Sequence, residues 1–255
     1  MQQRLPSLVD PPLAFAHRGA RAHAPENTME SFGLALRLGA TGIESDVWRT
    51  ADGVLVLDHD GVVRRGLRRR PVTAVARREL PPHLPDLAEV LDLCARAEGG
   101  PVALSLDLKG PGTGAAVIDL VRTDFPDLAG HVWCCHPDVE ELVALRHLDD
   151  DIRLVNSTRL ERIAEGPERR AARLGDTGID GINLHHTDVN GGLVSMFHRF
   201  RRTLFAWDLQ FEHGLRSVLR MGVDAVYSDW VDRMMDAYRA ELGSPRLPDG
   251  GTLEG

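Results

Sequence analysis

Four short clusters in this chain carry side chains that can do chemistry together: His17-Arg18-Gly19, Glu44-x-Asp46, His59-Asp60 and Asp107-x-Lys109. Glu44 and Asp46 are two residues apart in an apolar run, so in a strand both side chains fall on one face. Ile43, Ser45 and Val47 then take the other face. Asp107 and Lys109 repeat this spacing, against a row of Leu104, Leu106 and Leu108. Three carboxylates and an ammonium turned into one enclosed space are costly as plain core residues. An ion pair with Lys109 accounts for one acid, not for three. An all-oxygen donor set of this kind suits a hard divalent cation, Mg²⁺ or Ca²⁺, rather than zinc. Histidines beside such an ion add acid–base chemistry, because an imidazole pKa near ~6.5 lets one ring accept a proton while another donates. A base for the nucleophile, an acid for the leaving alkoxide and cations for the phosphoryl oxygens are what phosphodiester cleavage needs. Eleven histidines are present, and spacing to the carboxylates singles out His17 and His59.

These clusters need a frame that brings them together. Strand-like runs occur at 13–16, 42–47, 54–57, 102–108, 131–135, 152–156, 181–184, 203–207 and 225–227, with amphipathic helical stretches between most of them. Asn27 with Glu30 gives a capping-box pattern ahead of Phe32, Ala35 and Leu36, and Gly39 supplies the stop. Asp86 with Glu89 repeats it ahead of Leu87, Val90, Leu91 and Cys94. Strand–helix alternation over this length predicts a single-domain α/β fold, a (β/α)₈ TIM barrel. The run 54–57 is the surplus strand, folded back by the turn at Ala51-Asp52-Gly53 as part of a short insertion after the second strand. A doubly wound sheet needs an early phosphate-binding fingerprint, and none is there. The expected boundaries are a lead-in over 1–12, the barrel over 13–242 and a flexible tail over 243–255. In this frame the four clusters fall at or just beyond the C-terminal ends of strands, the face where barrel active sites lie.

The run His17-Arg18-Gly19, Pro25-Glu26-Asn27-Thr28, Gly39-Ala40, Glu44-x-Asp46-Val47, Thr50-x-Asp52-Gly53, His59-Asp60 resembles the glycerophosphodiester phosphodiesterase family. The likeness is dense over residues 14–65. It continues more thinly through 84–91, Asp107-Leu108-Lys109, Trp207 and the segment 222–229 ending in Ser228-Asp229. The resemblance implies a TIM barrel with one divalent cation that hydrolyses glycerophosphodiesters to glycerol 3-phosphate and an alcohol. It makes His17 and His59 the acid–base pair and Glu44, Asp46 and Asp107 the metal ligands. Arg18 and Lys109 would hold the phosphate, and Trp207 would pack against the glycerol or head group. The chain departs from the family in having Asp107 where Glu is usual, and Asp208-Leu209 after the late tryptophan. The interval Gly61–Leu106 is also too short for the small insertion of many members. The alternatives carried are an enzyme like a lysophospholipase D or sphingomyelinase D, and a barrel that binds phosphorylated ligands without turnover.

Composition narrows the rest. Of the 30 basic residues in 255, Lys109 is the only lysine. An ammonium is a compact point charge and a guanidinium a broad planar fork, so a lone lysine in an arginine-rich chain marks a place where the fork does not serve. A net charge of −8 argues against nucleic-acid partners. No apolar stretch is long enough to span a membrane, and the opening MQQRLPSLVDPP has no apolar core, so a cytoplasmic protein with a small-molecule substrate is expected. Three cysteines give no disulfide framework. The glycine-rich stretch 110–115 reads as a tight loop, and His185-His186 as a surface pair at a strand end. The seven arginines between Arg64 and Arg78 read either as a solvated loop or as an anion-attracting rim beside His59.

Overall fold

The computed structural model describes residues 4–65 and 68–244. In chain order the elements are β1 (Leu13–His17), α1 (Met29–Arg37), β2 (Gly42–Arg49), β3 (Leu55–Leu57), β4 (Val62–Arg65), β5 (Arg68–Pro71), α2 (Leu87–Ala95), β6 (Ala103–Leu108), α3 (Thr113–Asp124) and β7 (Val132–His136). The second half continues with α4 (Val139–Arg146), β8 (Arg153–Thr158), α5 (Pro167–Asp176), β9 (Gly181–His185), α6 (Gly191–Arg199), β10 (Thr203–Trp207), α7 (Glu212–Arg220), β11 (Ala225–Ser228) and α8 (Val231–Leu242). Parallel pairing runs β1-β2-β6-β7-β8-β9-β10-β11 and returns from β11 to β1, which closes an eight-stranded barrel ringed by helices. β3 lies antiparallel on the extended end of β2, with Val47 opposite Leu57. The surplus strand is therefore where the turn at 51–53 places it.

Alternation along the strands divides the apolar residues between two cores. Ile43, Val47, Leu104, Leu106 and Leu108 face outward into the layer beneath the helices. Phe15, Trp133, Phe205 and Tyr227 face inward and fill the barrel. Their rings stack tightly: Phe15 on Tyr227 at 4.8 Å between centroids, and Trp133 edge-on to Phe205 at 5.0 Å. Gly42 makes room for this floor, because a Cβ there would sit 2.5 Å from the Phe15 ring. Above the aromatic layer the inward side chains become polar. Ser105, which stands opposite Glu44 across β2–β6, meets the Tyr227 hydroxyl at 3.1 Å, and Asp46 follows two residues further along β2.

Two local expectations are corrected, at α1 and in the arginine-rich stretch, while the box at α2 is present. The box at α1 is built by Thr28 and Ser31, not by Asn27 and Glu30: the Ser31 N–H donates to Thr28 Oγ1 at 3.1 Å, and the Thr28 N–H donates to Ser31 Oγ at 3.3 Å. Asn27 is instead buried with a positive φ of 53° and accepts from Ser45 Oγ at 2.7 Å, tying the first β–α loop to β2. At α2 the Glu89 carboxylate does reach back to the Asp86 N–H, at 2.8 Å, while the Asp86 side chain pairs with Arg77. The arginine-rich stretch is not a plain loop, because β4 and β5 form a two-stranded ribbon within it, and the interval after His59 thus has room for a small insertion. Arg70 and Arg77 are committed to ion pairs with Glu79 and Asp86. The lead-in lies across the end of the barrel away from the site, with the Leu8 and Val9 N–H groups donating to Asp224 Oδ1 at 2.6 and 3.0 Å. Residues 245–255 of the expected tail lie outside the described residues. Among the described residues no helix is long and apolar enough to cross a membrane.

Candidate active site

One cavity of about 290 Å³ opens at the C-terminal end of the barrel, and His17, Arg18, Glu44, Asp46, His59, Asp107, Lys109 and Trp207 all line it. Strand register explains the convergence. Asp46 stands directly opposite Asp107 across the β2–β6 pair, and Glu44 stands opposite His17 across β1–β2. Every residue singled out from the sequence reaches this space. A larger depression of about 800 Å³ over α7 and α8 contains none of them, and its Arg216 and Arg220 are paired with Glu241.

The carboxylates dominate the electrostatics. Glu44 and Asp46 are buried, whereas Asp107 is a third exposed. Burial pushes the Glu44 carboxyl up to about 7, against the pull of His17 and with repulsion from Asp46 and Asp107 adding to the rise. Asp107 is raised as well, by enclosure and by Asp46, although Lys109 pulls it down. The Lys109 ammonium sits between two of the acids, 3.0 Å from Asp46 Oδ1 and 3.2 Å from Asp107 Oδ2. Its partial burial would lower its pKa, but the two carboxylates outweigh that and raise it to about 12, so it stays charged. Asp46 Oδ2 and Arg18 Nε are buried with no hydrogen-bond partner among the described residues, and the 3.6 Å between them is too long for a hydrogen bond. An orphaned carboxylate oxygen beside two acids raised by burial and by mutual repulsion is a donor set that fits a hard divalent cation.

Two histidines flank the acids in different settings. His17 Nδ1 meets Asp229 Oδ1 at 2.6 Å, and its Nε2 lies 3.7 Å from Glu44 Oε2. Burial alone would lower the His17 pKa, but Glu44 and Asp229 outweigh it and raise it. Asp229 is held below the usual carboxylate range although its burial works the other way, because His17 and Arg21 stabilise its charge. The pairing fixes which imidazole nitrogen faces the cavity, as a carboxylate behind a catalytic histidine does. His59 is more exposed and pairs with Asp60 at 2.9 Å. Its turn rests on Trp48, whose Nε1 donates to the Asp58 carbonyl at 2.7 Å. Gly61 has φ of 62°, and a Cβ there would come within 2.4 Å of the Trp48 ring, so only glycine lets the turn sit this close. Arg18 is held by its own N–H on Glu44 Oε2 at 3.1 Å and by Glu26 at 3.2 Å.

Five lining residues were not singled out as site residues in the sequence, Ser157, Asn183, Asp208, Gln210 and Tyr227, and neither was Asp229, which bonds to His17. Asn183 was accessible to the argument used for Glu44, since it alternates with outward-facing Ile182 and Leu184. Asp229 directly follows the last strand, which is a positional signal for a barrel site. Asn183 Oδ1 and Trp207 Nε1 are both buried without a partner among the described residues, leaving an acceptor and a donor for a hydroxylated ligand. Of the stretch 110–115 read as a tight loop, only Gly110–Gly112 is a turn, with both glycines at positive φ; Thr113 starts α3, and its Oγ1 donates to the Lys109 carbonyl. A second group of donors sits at the rim, where His185, His186 and Asp208 bring one ligand atom each within 4.8 Å of the others. His185 and His186, read as a surface pair at a strand end, do sit at the end of β9 and are half-buried.

Comparison with known proteins agrees with this architecture. Residues 17–93 match the model of the glycerophosphoryl diester phosphodiesterase family. Glycerophosphodiester phosphodiesterase 1 of Mus musculus is 32% identical over 157 residues, 54% of this chain and 46% of its own length. The chain thus spans about half of that mammalian relative. A glycerophosphodiester phosphodiesterase of Bacillus altitudinis is 26% identical over 86% of this chain and 95% of its own. Among solved structures, a putative glycerophosphoryl diester phosphodiesterase from Silicibacter pomeroyi superposes with a TM-score of 0.78 at 23% identity, covering 92% and 95% of the two chains. A phosphodiesterase from Oleispira antarctica, solved with the product sn-glycerol-3-phosphate, gives 0.76 at 24% identity over 89% and 96%. These likenesses carry the fold. The matched motif and the curated relatives add a likeness in sequence to the glycerophosphoryl diester phosphodiesterase family, densest over residues 17–93.

Proposed function

We propose that this protein hydrolyses glycerophosphodiesters to glycerol 3-phosphate and an alcohol, using a divalent cation, Mg²⁺ or Ca²⁺, held by Glu44, Asp46 and Asp107. The observation that carries the reading is the gathering of two histidines, three acids, Arg18 and Lys109 around one cavity. The sn-glycerol-3-phosphate product bound by the Oleispira antarctica phosphodiesterase supports the substrate class. Bound among the three carboxylates, the cation would neutralise phosphoryl charge as it develops. Arg18, with Nε unpartnered, supplies a second positive group for the phosphate, and Lys109 balances Asp46 and Asp107 beside it. His17 and His59 divide the proton transfers: one removes a proton from the attacking nucleophile, either water itself or the glycerol 2-hydroxyl with water then opening the cyclic phosphate, and the other protonates the leaving alkoxide. Asp229 holds the His17 ring so that Nε2 faces the diester. Trp207 Nε1 and Asn183 Oδ1 fit a small ligand rich in hydroxyls. The proposed setting is cytoplasmic.

Replacing His17 or His59 with alanine should lower kcat/KM for glycerophosphocholine by at least ~10²-fold, the usual share of a general acid or base. The double variant should be little worse than either single one, since the two act as a unit. Single variants with near-normal rates would contradict the assignment.

Lys109→Arg keeps the charge but places a wide fork in a slot between two carboxylates about 3 Å from the ammonium. It should lose kcat/KM while keeping the wild-type melting temperature, because the packing of β6 depends on Leu104, Leu106 and Leu108. Full activity in Lys109→Arg would remove the special role of the lone lysine.

The raised Glu44 pKa also fixes the sign of a stability effect. Between its ordinary 4.5 and about 7, Glu44 is protonated in the folded chain and ionised in the unfolded chain. The unfolded chain then binds fewer protons, so this group makes stability fall with rising pH, by at most ~3 kcal/mol. His17, also raised, works in the same direction, adding stability that is lost as pH rises through its folded value. Thermal melts from pH 5 to 8 with chelator should show this decline, and Glu44→Gln should flatten it. Adding Mg²⁺ or Ca²⁺ should raise the melting temperature most at pH 8, and a wild-type slope equal to that of Glu44→Gln would refute the crowding of charge.

A further inference from the structure

The donor group at the rim differs in chemistry from the carboxylate trio. His185 ends β9, His186 follows it and Asp208 follows β10, so neighbouring barrel strands meet through these side chains. Asp208 has φ of 64°, an uncommon conformation for a residue with a side chain. In that conformation its Oδ2 lies 3.1 Å from His185 Nε2. His185 Nδ1 is meanwhile tied to Thr187 Oγ1 at 2.7 Å, the kind of outer hydrogen bond that fixes the ring of a metal-bound imidazole. The His185 and His186 rings lie 4.6 Å apart, and His185 meets the Trp207 ring edge-to-face at 4.6 Å.

We propose that His185, His186 and Asp208 form a second metal site at the cavity rim, taking a borderline divalent transition ion, with Zn²⁺ the best match. Two imidazoles and one carboxylate suit zinc, as an all-oxygen set suits Mg²⁺ or Ca²⁺. In the ion-free chain the Thr187 N–H donates to Nδ1 at 3.3 Å, so the His185 proton is on Nε2 and is donated to Asp208. When zinc takes Nε2, that proton moves to Nδ1 and is donated to the Thr187 hydroxyl oxygen, leaving the ring neutral. Asp188 is not available as a further ligand, because Arg159 holds both its oxygens, at 2.7 and 3.2 Å. Water completes the coordination. The ion links the loop after β9 to the loop after β10, steadies Trp207 through His185, and neutralises the Asp208 carboxylate on the cavity wall.

Calorimetric titration of Zn²⁺ into the full chain, with Mg²⁺ in excess to fill the carboxylate trio, tests this without any substrate. One zinc per chain should bind, and the melting temperature should rise. His186→Ala and Asp208→Asn should each weaken binding at least ~10-fold, since even loss of an outer partner of a metal ligand costs that much. His59→Ala, outside the cluster, should bind zinc as wild type does. Asp208 is half exposed, and zinc-free melting temperatures report whether each variant folds. Absence of a saturable zinc site, or equal binding by wild type and both cluster variants, would overturn the assignment.

Discussion

The arrangement of this site follows from three acids held closer together than water would allow. Parallel pairing of β2 with β6 sets Asp46 opposite Asp107, and the two-residue period of β2 adds Glu44 on the same face. Below them lies the aromatic floor of Phe15, Trp133, Phe205 and Tyr227, which closes the barrel to solvent from beneath. The repulsion is met on three sides by the Lys109 ammonium, the Arg18 guanidinium and the His17 imidazole. Compensation is incomplete, because Asp46 Oδ2 has no hydrogen bond and Glu44 holds a proton to about 7. Acids so incompletely compensated are the setting that the proposed divalent cation would suit.

Much of this was legible because strand periodicity is simple. Once residues 42–47 are taken as a strand, the inward direction of Glu44 and Asp46 follows from the outward direction of Ile43 and Val47. The same logic applied to 181–184 places Asn183 inside, but an amide carries no charge and drew no attention. The residues that escaped are those whose roles depend on distant partners. Asp229 orients His17 from 212 positions away, a contact made only when β11 closes against β1. Asn27 offered a plausible helix cap, yet a buried hydrogen bond to Ser45 outweighs the local preference, and Thr28 takes the cap instead. The β4–β5 ribbon carries arginines where alternation of apolar and polar residues would have marked strands.

The single lysine makes a related point about residue choice. An arginine in its place would present five donors in a rigid plane, more than the gap between Asp46 and Asp107 can receive. The acids also differ among themselves: Glu44 and Asp46 are sealed in the barrel, whereas Asp107 stays open to the cavity. Polarity continues outward through Trp207, Asp208 and Gln210, the part of the wall that a head group would meet.

The central claim is that this cavity cleaves a glycerophosphodiester only when a cation offsets its acids. The most direct measurement is release of glycerol 3-phosphate from glycerophosphocholine by the purified full chain, first with chelator and then with Mg²⁺ or Ca²⁺ restored. The account predicts no turnover with chelator, recovery with one of the two ions, and choline formed in equal amount. Undiminished turnover in chelator, or none with either ion, would contradict it.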